Sequence, residues 1–169
     1  MPRTVLLIDG NSLTYRAFFA LPTDLATASG QVTNAVFGFT SMMINVMKDH
    51  RPDGVLVAFD RPEPTFRHVA EPLYKAQREA APDILRQQMG LVREVLDAIG
   101  IAAVDLSGWE ADDLIATATD RLVEAGDFRR YTGGPDDAAS PAFFQREIAV
   151  GVIGVPVRIH DEPHRRLRH

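Results

Sequence analysis

The chain has 169 residues, 46% of them hydrophobic and 24% charged, proportions that suit one soluble globular domain. It contains no cysteine, which excludes disulfides and leaves carboxylates and histidines as the side chains suited to a metal. The formal net charge of −5 argues against a protein that coats a polyanion with its whole surface. Neither a long apolar run nor an apolar signal segment is present, so we expect a cytoplasmic protein that is not inserted in a membrane.

Strands and helices are predicted to alternate along the first part of the chain. In chain order, the patterns predict a strand at 4–9, a helix near 13–20, a helix at 32–47, a strand at 54–60, a helix at 83–99, a strand at 101–106 and a helix at 109–125. Residues 66–82 are polar and lack apolar periodicity, which indicates a loop or an exposed helical arch. This alternation predicts an α/β fold of three layers around a parallel sheet.

The pattern changes after Asp127, and we divide the chain there into an N-terminal part, residues 1–127, and a divergent tail, residues 128–169. Residues 128–137 lack the apolar run that a further strand would need, whereas residues 148–159 suit a strand pair. Residues 160–169 are basic and rich in histidine, as in a mobile terminus. We therefore expect a sheet that is incomplete on its C-terminal side.

Carboxylates stand at three places where the predicted parallel strands and helices meet. Asp9 ends the first strand, Asp60 ends the second, and Glu110, Asp112 and Asp113 lie at the start of the last helix. Ligands of an open parallel sheet bind outside the carboxyl ends of its strands, so these acids can converge there and hold Mg²⁺ or Mn²⁺. Taken singly, each acid also suits a helix cap or a first helical turn, without any function.

Basic and aromatic side chains lie near these acids or in the polar segment that follows the second strand. Such side chains suit phosphate contacts and base stacking, although Arg16 could instead pair with an acid and the polar segment could be a solvated loop. The candidates for nucleic-acid contact are Tyr15, Arg16, Arg67, Tyr74, Lys75 and Arg78.

Several short motifs occur in order between residues 3 and 127. They are Leu7-Ile8-Asp9-Gly10-Asn11-Ser12 followed by Tyr15-Arg16, Ala35-Val36-Phe37-Gly38-Phe39, Phe59-Asp60, Phe66-Arg67-His68, Tyr74-Lys75-Ala76-Gln77-Arg78 and Gly108-Trp109-Glu110-Ala111-Asp112-Asp113. In this order and spacing they resemble the 5′ nuclease domain of bacterial DNA polymerase I and its free-standing, flap endonuclease-like relatives. The resemblance implies a PIN-like 5′ nuclease fold.

The resemblance also implies a function: a metal-dependent 5′-3′ exonuclease or 5′ flap nuclease of replication and repair. Its implied substrates are the 5′ flap or 5′ end of duplex DNA and RNA primers annealed to DNA. The implied ligands of a two-metal Mg²⁺ or Mn²⁺ site are Asp9, Asp60, Glu110, Asp112 and Asp113. The implied catalytic residues are Asp9, Asp60, Arg16 and Lys75, and the implied DNA contacts are Tyr15, Arg16, Arg67, Tyr74, Lys75 and Arg78.

The chain departs from the family pattern after residue 127. The family continues with a Thr-Gly-Asp-Arg-Asp-like motif that completes the metal site, whereas Pro135 and shifted aspartates break that spacing here. We therefore expect a truncated or frameshifted member whose second metal site is incomplete. Two alternatives stay open: a non-catalytic nucleic-acid-binding fragment, and a small PIN-like ribonuclease, against which the basic segment 66–82 argues.

Overall fold

The computed structural model describes residues 4–77, 80–124, 131–132 and 148–151, the last two stretches through their strand pairing alone. The elements are β1 Val5–Asp9, α1 Gly10–Ala20, α2 Asn34–His50, β2 Gly54–Ala58, α3 Phe66–Ala70, α4 Asp83–Ala98, β3 Ala102–Val104, α5 Ala111–Glu124, β4 Tyr131–Thr132 and β5 Ile148–Gly151. No helix in these ranges is both long and apolar enough to cross a bilayer.

The strands form one five-stranded sheet in the order β3-β2-β1-β5-β4. Strands β1, β2 and β3 are parallel, as the sequence predicts, so their carboxyl ends share one edge of the sheet. On the other side of β1, β5 runs antiparallel to it, and β4 runs antiparallel to β5. The short β4 lies where the sequence pattern indicated no strand, because its backbone pairing with β5 does not require an apolar run. Strand β5 lies at the start of the strand pair predicted at 148–159. The remaining predictions for residues 128–169 lie outside the described residues.

Helices cover both faces of β1 and give the predicted three layers. Leu6 and Ile8 point into a cluster with side chains from α1, α2 and α4, while Val5 and Leu7 pack against α5. All four side chains are at most 2% exposed. A strand buried on both faces reads as a continuous apolar run, which is why β1 was predictable from the sequence.

Several helices and strands begin or end at other residues than predicted, and each difference changes the position of a candidate site residue relative to its helix or strand. Helix α1 begins at Gly10 rather than near residue 13, because Asp9 itself caps it. Strand β2 ends at Ala58, so Asp60 lies two residues beyond it. Helix α5 begins at Ala111, so Glu110 precedes the helix instead of lying in its first turn.

The polar segment predicted as a loop or arch is partly helical and exposed. It begins with the five-residue helix α3, none of whose residues is buried, and continues as turns up to residue 77. A capping box starts α3. The backbone N–H of Thr65 donates to Nδ1 of His68 over 3.1 Å, and the Thr65 hydroxyl accepts from the backbone N–H of His68, the third helical residue. We call residues 66–77 the arch segment.

A buried amide pair ties α1, α2 and α4 together. Gln88 of α4 accepts hydrogen bonds from the backbone N–H groups of Ala35 and Val36, 2.8 and 3.3 Å away, in the first turn of α2. Its own amide donates to Oδ1 of Asn34 over 2.9 Å. Asn34 in turn donates to the carbonyls of Phe18 and Leu21 at the end of α1. Helix ends leave such backbone groups unpaired, so this pair supplies partners that the helices themselves cannot provide.

Replacing Gln88 by leucine should lower the free energy of unfolding by about 2 to 4 kcal/mol, because it leaves the N–H groups of Ala35 and Val36 and Oδ1 of Asn34 without these partners. The neighbouring Gln87 is exposed on the same helix and makes a matched control. Urea denaturation of Gln88→Leu and Gln87→Leu measures the difference. Equal stability of the two variants would show that the amide pair does not stabilise the helix ends.

Candidate active site

A cleft of about 660 Å³ opens at the carboxyl edge of the parallel strands. Its walls come from the end of β1, the first turns of α1, the second residue after β2, the arch segment and the start of α5. The lining residues are Asp9, Asn11, Ser12, Tyr15, Arg16, Asp60, Tyr74, Lys75, Glu110 and Asp112. The structure therefore brings eight of the predicted site residues to one cleft. Arg67 and Asp113 are not among the lining residues, and Arg78 lies outside the described residues.

Asp9 and Asp60 both cap helices and line the cleft. Oδ1 of Asp9 accepts from the backbone N–H of Ser12 over 3.0 Å, and its Oδ2 accepts from the Ser12 hydroxyl over 2.6 Å. Oδ1 of Asp60 accepts from the backbone N–H of Ala111 over 2.7 Å, at the start of α5. The capping role and the cleft position, weighed as alternatives in the sequence, occur together in these two residues.

A close approach at Gly10 holds the ends of β1 and β2 against each other. A Cβ atom at Gly10 would lie 2.5 Å from the ring of Phe59, which is 2% exposed. The backbone N–H of Asp60 also donates to Oδ1 of Asn11 over 3.1 Å. Only glycine leaves room for this contact, and the contact brings Asp9 and Asp60 to the same part of the cleft.

Asn11 and Ser12 line the cleft although neither is among the site residues predicted from the sequence. Asn11 holds the backbone beside Asp60, and Ser12 donates to Asp9. Their position directly after Asp9, in a motif already quoted for the resemblance, is the signal that could have identified them.

Glu110 is buried and receives charged partners from the arch segment. Its Oε1 accepts from Nζ of Lys75 over 2.9 Å, and its Oε2 accepts from the Tyr74 hydroxyl over 3.0 Å. The guanidinium of Arg67 lies 3.6 Å from Oε2. Although burial opposes ionisation, the hydrogen bonds from Lys75 and Tyr74 hold the pKa of the Glu110 carboxyl below its ordinary value.

Both carboxylate oxygens of Asp113 accept hydrogen bonds from groups of the protein. The two terminal nitrogens of Arg67 donate to its two oxygens over 2.6 Å each, a bidentate pair between residues 46 positions apart. Oδ2 also accepts from the backbone N–H of Glu110 over 3.0 Å, which caps the start of α5. The hydrogen bonds from Arg67 hold the pKa of the Asp113 carboxyl below its ordinary value, against the opposing effect of burial.

Asp112 is the acid whose charge the protein compensates least. Partial desolvation in the cleft and the negative charges of Asp9, Asp60 and Glu110 raise its pKa, and Lys75 lowers it only in part. Neighbouring negative charge thus adds to the effect of desolvation on Asp112. A group destabilised in its charged form at a cleft is a candidate for a functional role.

Lys75 reaches Glu110 from a strained backbone. Its φ angle is 57°, in the left-handed region that a non-glycine residue enters at a cost of about 1 kcal/mol. The Lys75 ammonium also lies 5.2 Å from the centre of the Tyr74 ring. Although desolvation favours its neutral form, Glu110 raises the pKa of Lys75, so the ion pair opposes the cost of the backbone conformation.

The lining residues fit a hard divalent cation by their chemistry. Four acidic and two basic side chains line the cleft, and oxygen ligands suit Mg²⁺ or Mn²⁺. Desolvation and then the neighbouring carboxylates raise the pKa of Asp112, and a cation would favour its charged form. As the side chains stand, no three His, Asp or Glu residues within the described ranges are grouped so that they could hold one ion. Hydrogen bonds to Ser12, Ala111 and Lys75 direct Asp9, Asp60 and Glu110 towards protein donors.

The sequence of this chain is similar to those of known proteins. Residues 4–136 match the sequence profile of the 5′-3′ exonuclease N-terminal resolvase-like domain. DNA polymerase I of Mycobacterium bovis is 46% identical over 124 residues, 73% of this chain and 14% of that protein. The 5′-3′ exonuclease of Aquifex aeolicus is 41% identical over 134 residues, 79% of this chain and 46% of that protein. The chain spans less than half the length of either relative.

The solved structure of T5 5′-exonuclease with bound zinc superposes on this chain with a TM-score of 0.46 and 21% sequence identity, covering 70% of this chain and 44% of that one.

Two adjacent acids should change stability in opposite directions when their charge is removed. The pKa of Asp113 is lowered, so its ionised form contributes stability above its ordinary pKa of about 3.9 that is lost as the pH falls through the folded-state pKa. The pKa of Asp112 is raised, so its ionised form opposes folding at neutral pH, and stability returns as the pH falls through that raised pKa.

At pH 7 in chelator, Asp113→Asn should therefore lower the free energy of unfolding by about 1 to 3 kcal/mol, and Asp112→Asn should raise it. The Asp112 difference should shrink as the pH falls through its raised pKa, whereas the Asp113 difference should shrink only below the ordinary pKa of about 3.9, as the pH falls through its lowered folded-state pKa. Denaturant unfolding at several pH values measures both. A shift in the same direction for the two variants would contradict this division of the acids.

Proposed function

Because this chain belongs to the 5′-3′ exonuclease family through its N-terminal resolvase-like domain, we propose that it hydrolyses phosphodiester bonds at the 5′ side of DNA, using a divalent metal ion. Family membership confirms the resemblance predicted from the motifs. The observation that carries the proposal is the convergence of Asp9, Asp60, Glu110 and Asp112, from three separate parts of the chain, on one cleft that also contains Arg16 and Lys75.

The basic and aromatic residues of the cleft suit the binding and orientation of a nucleic-acid strand. Arg16 and Lys75 provide positive charge for phosphate oxygens at the edge of the acidic cluster. Tyr15 and Tyr74 provide aromatic faces on which a base can stack. The names of the two relatives, a DNA polymerase and an exonuclease, support DNA as the substrate.

Asp9, Asp60 and Asp112 are the residues that we expect to hold the metal, with Glu110 joining them once Lys75 releases it. Mg²⁺ or Mn²⁺ bound there would stabilise charge on the scissile phosphate and activate a water molecule. The residues of the chain contribute the negative charge that holds the ion and the caps that fix two of its ligands. The incomplete second metal site stays a prediction from the sequence, as do the 5′ flap, the 5′ duplex end and the RNA primer as particular substrates.

Cleavage of a labelled 5′-flap DNA should require Mg²⁺ or Mn²⁺, and Asp60→Asn should reduce its rate by about 100-fold or more. Asparagine keeps an oxygen that can accept from the N–H of Ala111, so the helix cap survives while the charge is lost. Asp24→Asn, in an exposed loop, is the matched control. Undiminished cleavage by the Asp60 variant would refute the proposed site.

Binding without cleavage is a second candidate function. Asp9, Asp60 and Glu110 accept hydrogen bonds from the protein's own donors, and within the described residues no three acidic or histidine side chains are arranged to bind one metal ion. Metal-insensitive binding of flap DNA by the wild-type chain, with no cleavage, would select it. Cleavage of single-stranded RNA with flap DNA untouched would instead select the PIN-like ribonuclease.

Removing the charge of Lys75 should weaken DNA binding and reduce the slope of log affinity against log salt concentration by about 1, because one fewer phosphate is neutralised. Lys48 is exposed at the end of α2, just before β2 begins and hence towards the opposite edge of the sheet, so Lys48→Gln is the control for Lys75→Gln. Fluorescence anisotropy at several salt concentrations gives both slopes. Equal slopes for the two variants would remove Lys75 from the binding surface.

A further inference from the structure

The arch segment carries Tyr74 and Lys75 to the cleft with little apolar attachment to the rest of the protein. No residue of α3 is buried, and the side chains of Val69 and Leu73 are 83% and 78% exposed. Its main ring contact with the body is that of Phe66, itself 47% exposed, with Trp109, whose ring centre is 5.2 Å away. Hydrophobic burial therefore contributes little to the position of this segment.

Polar contacts with the start of α5 hold the arch segment instead. At one end, the N–H of Phe66 donates to the carbonyl of Gly108 over 3.1 Å, and Arg67 makes its bidentate pair with Asp113. At the other end, Tyr74 and Lys75 bind Glu110. Two attachments on one short segment support each other, because the first raises the effective concentration of the second.

Asp113 differs from the other acids in the hydrogen-bond partners of its carboxylate oxygens. Its Oδ1 accepts one hydrogen bond and its Oδ2 accepts two, all from groups of the protein within 3.0 Å. Its side chain is 15% exposed and does not line the cleft, whereas that of the adjacent Asp112 does. A metal ion at Asp113 would have to compete with the positively charged Arg67, which already binds both of its oxygens.

We propose that Asp113 is a positioning residue that anchors the arch segment through Arg67, and that it is not one of the metal ligands. The inference deepens the proposed function and rests on it, because Tyr74 and Lys75, the residues that the anchor positions, face the proposed substrate. It divides the acids into Asp113, which positions the arch, and the acids of the cleft, which carry the charge for the metal.

Limited trypsin digestion tests the anchor, read by mass spectrometry at the bond after Lys75. Cleavage there should accelerate on the order of fivefold or more in Asp113→Asn and in Arg67→Gln, with no further gain in the double variant, because both substitutions break one interaction. Asp113→Glu, which keeps the carboxylate, should restore slow cleavage. Cleavage after Arg121, within α5, reports global unfolding, and the ratio of the two rates isolates the arch.

Titration with Mn²⁺, followed by electron paramagnetic resonance, tests the second half of the proposal. Asp113→Asn should leave the affinity for Mn²⁺ unchanged, whereas Asp112→Asn should lower it by about tenfold or more. With flap DNA as substrate, Asp113→Asn should raise KM more than it lowers kcat, because the arch is displaced while the acids of the cleft remain.

Equal losses of Mn²⁺ affinity in the two variants would make Asp113 a ligand and overturn the proposal. Unchanged cleavage after Lys75 in both Asp113→Asn and Arg67→Gln would show that this pair does not anchor the segment, and would also overturn it. If the wild-type chain binds no Mn²⁺, the proposed metal-dependent function fails, and the digestion experiment still decides whether Asp113 is the anchor. Should Asp113→Asn fail to fold, Arg67→Gln, which changes a side chain 31% exposed, gives the same digestion result.

Discussion

Repulsion among carboxylates at one edge of the sheet is the constraint to which the rest of the cleft responds. Asp9 and Asp60 cannot move apart, because strand ends, helix caps and the contact of Gly10 with Phe59 fix their backbones. The protein supplies basic partners to some of the acids and leaves Asp112 with a raised pKa. Residual charge of this kind is a cost to stability that a functional site commonly carries.

The arch segment and the core are held by different kinds of interaction. In the core, strand β1 is buried on both faces, and the buried amide pair of Asn34 and Gln88 binds backbone groups at the helix ends. Local unfolding of the core would therefore expose apolar side chains and break these hydrogen bonds. The arch segment depends on ion pairs at the start of α5, which salt, pH and a bound cation all affect. Local stability should therefore be lower in the arch segment than in the core.

A helix-capping contact and a position in the cleft coincide in Asp9 and Asp60. Asp9 and Asp60 satisfy the first N–H groups of α1 and α5, and the same carboxylates face the cleft. A helix start offers both backbone donors and a positive dipole end, which stabilise an acid whether or not a metal is nearby. Loss of such an acid changes folding and function together, which is why substitution by asparagine separates the two better than substitution by alanine.

Sequence alone was sufficient for the order of β1, α1, α2, β2, α4, β3 and α5, for the parallel arrangement of β1 to β3 and for Asp9 at the end of β1, because periodicity and strand ends are local features of the chain. It could not show that Arg67 pairs with Asp113 or Lys75 with Glu110, residues 46 and 35 positions apart. Nor could it show the antiparallel β5 beside β1. Such contacts leave no periodic trace, since they depend on how distant segments pack. Only the tertiary structure therefore distinguished the acids that face the cleft from the one that holds the arch segment.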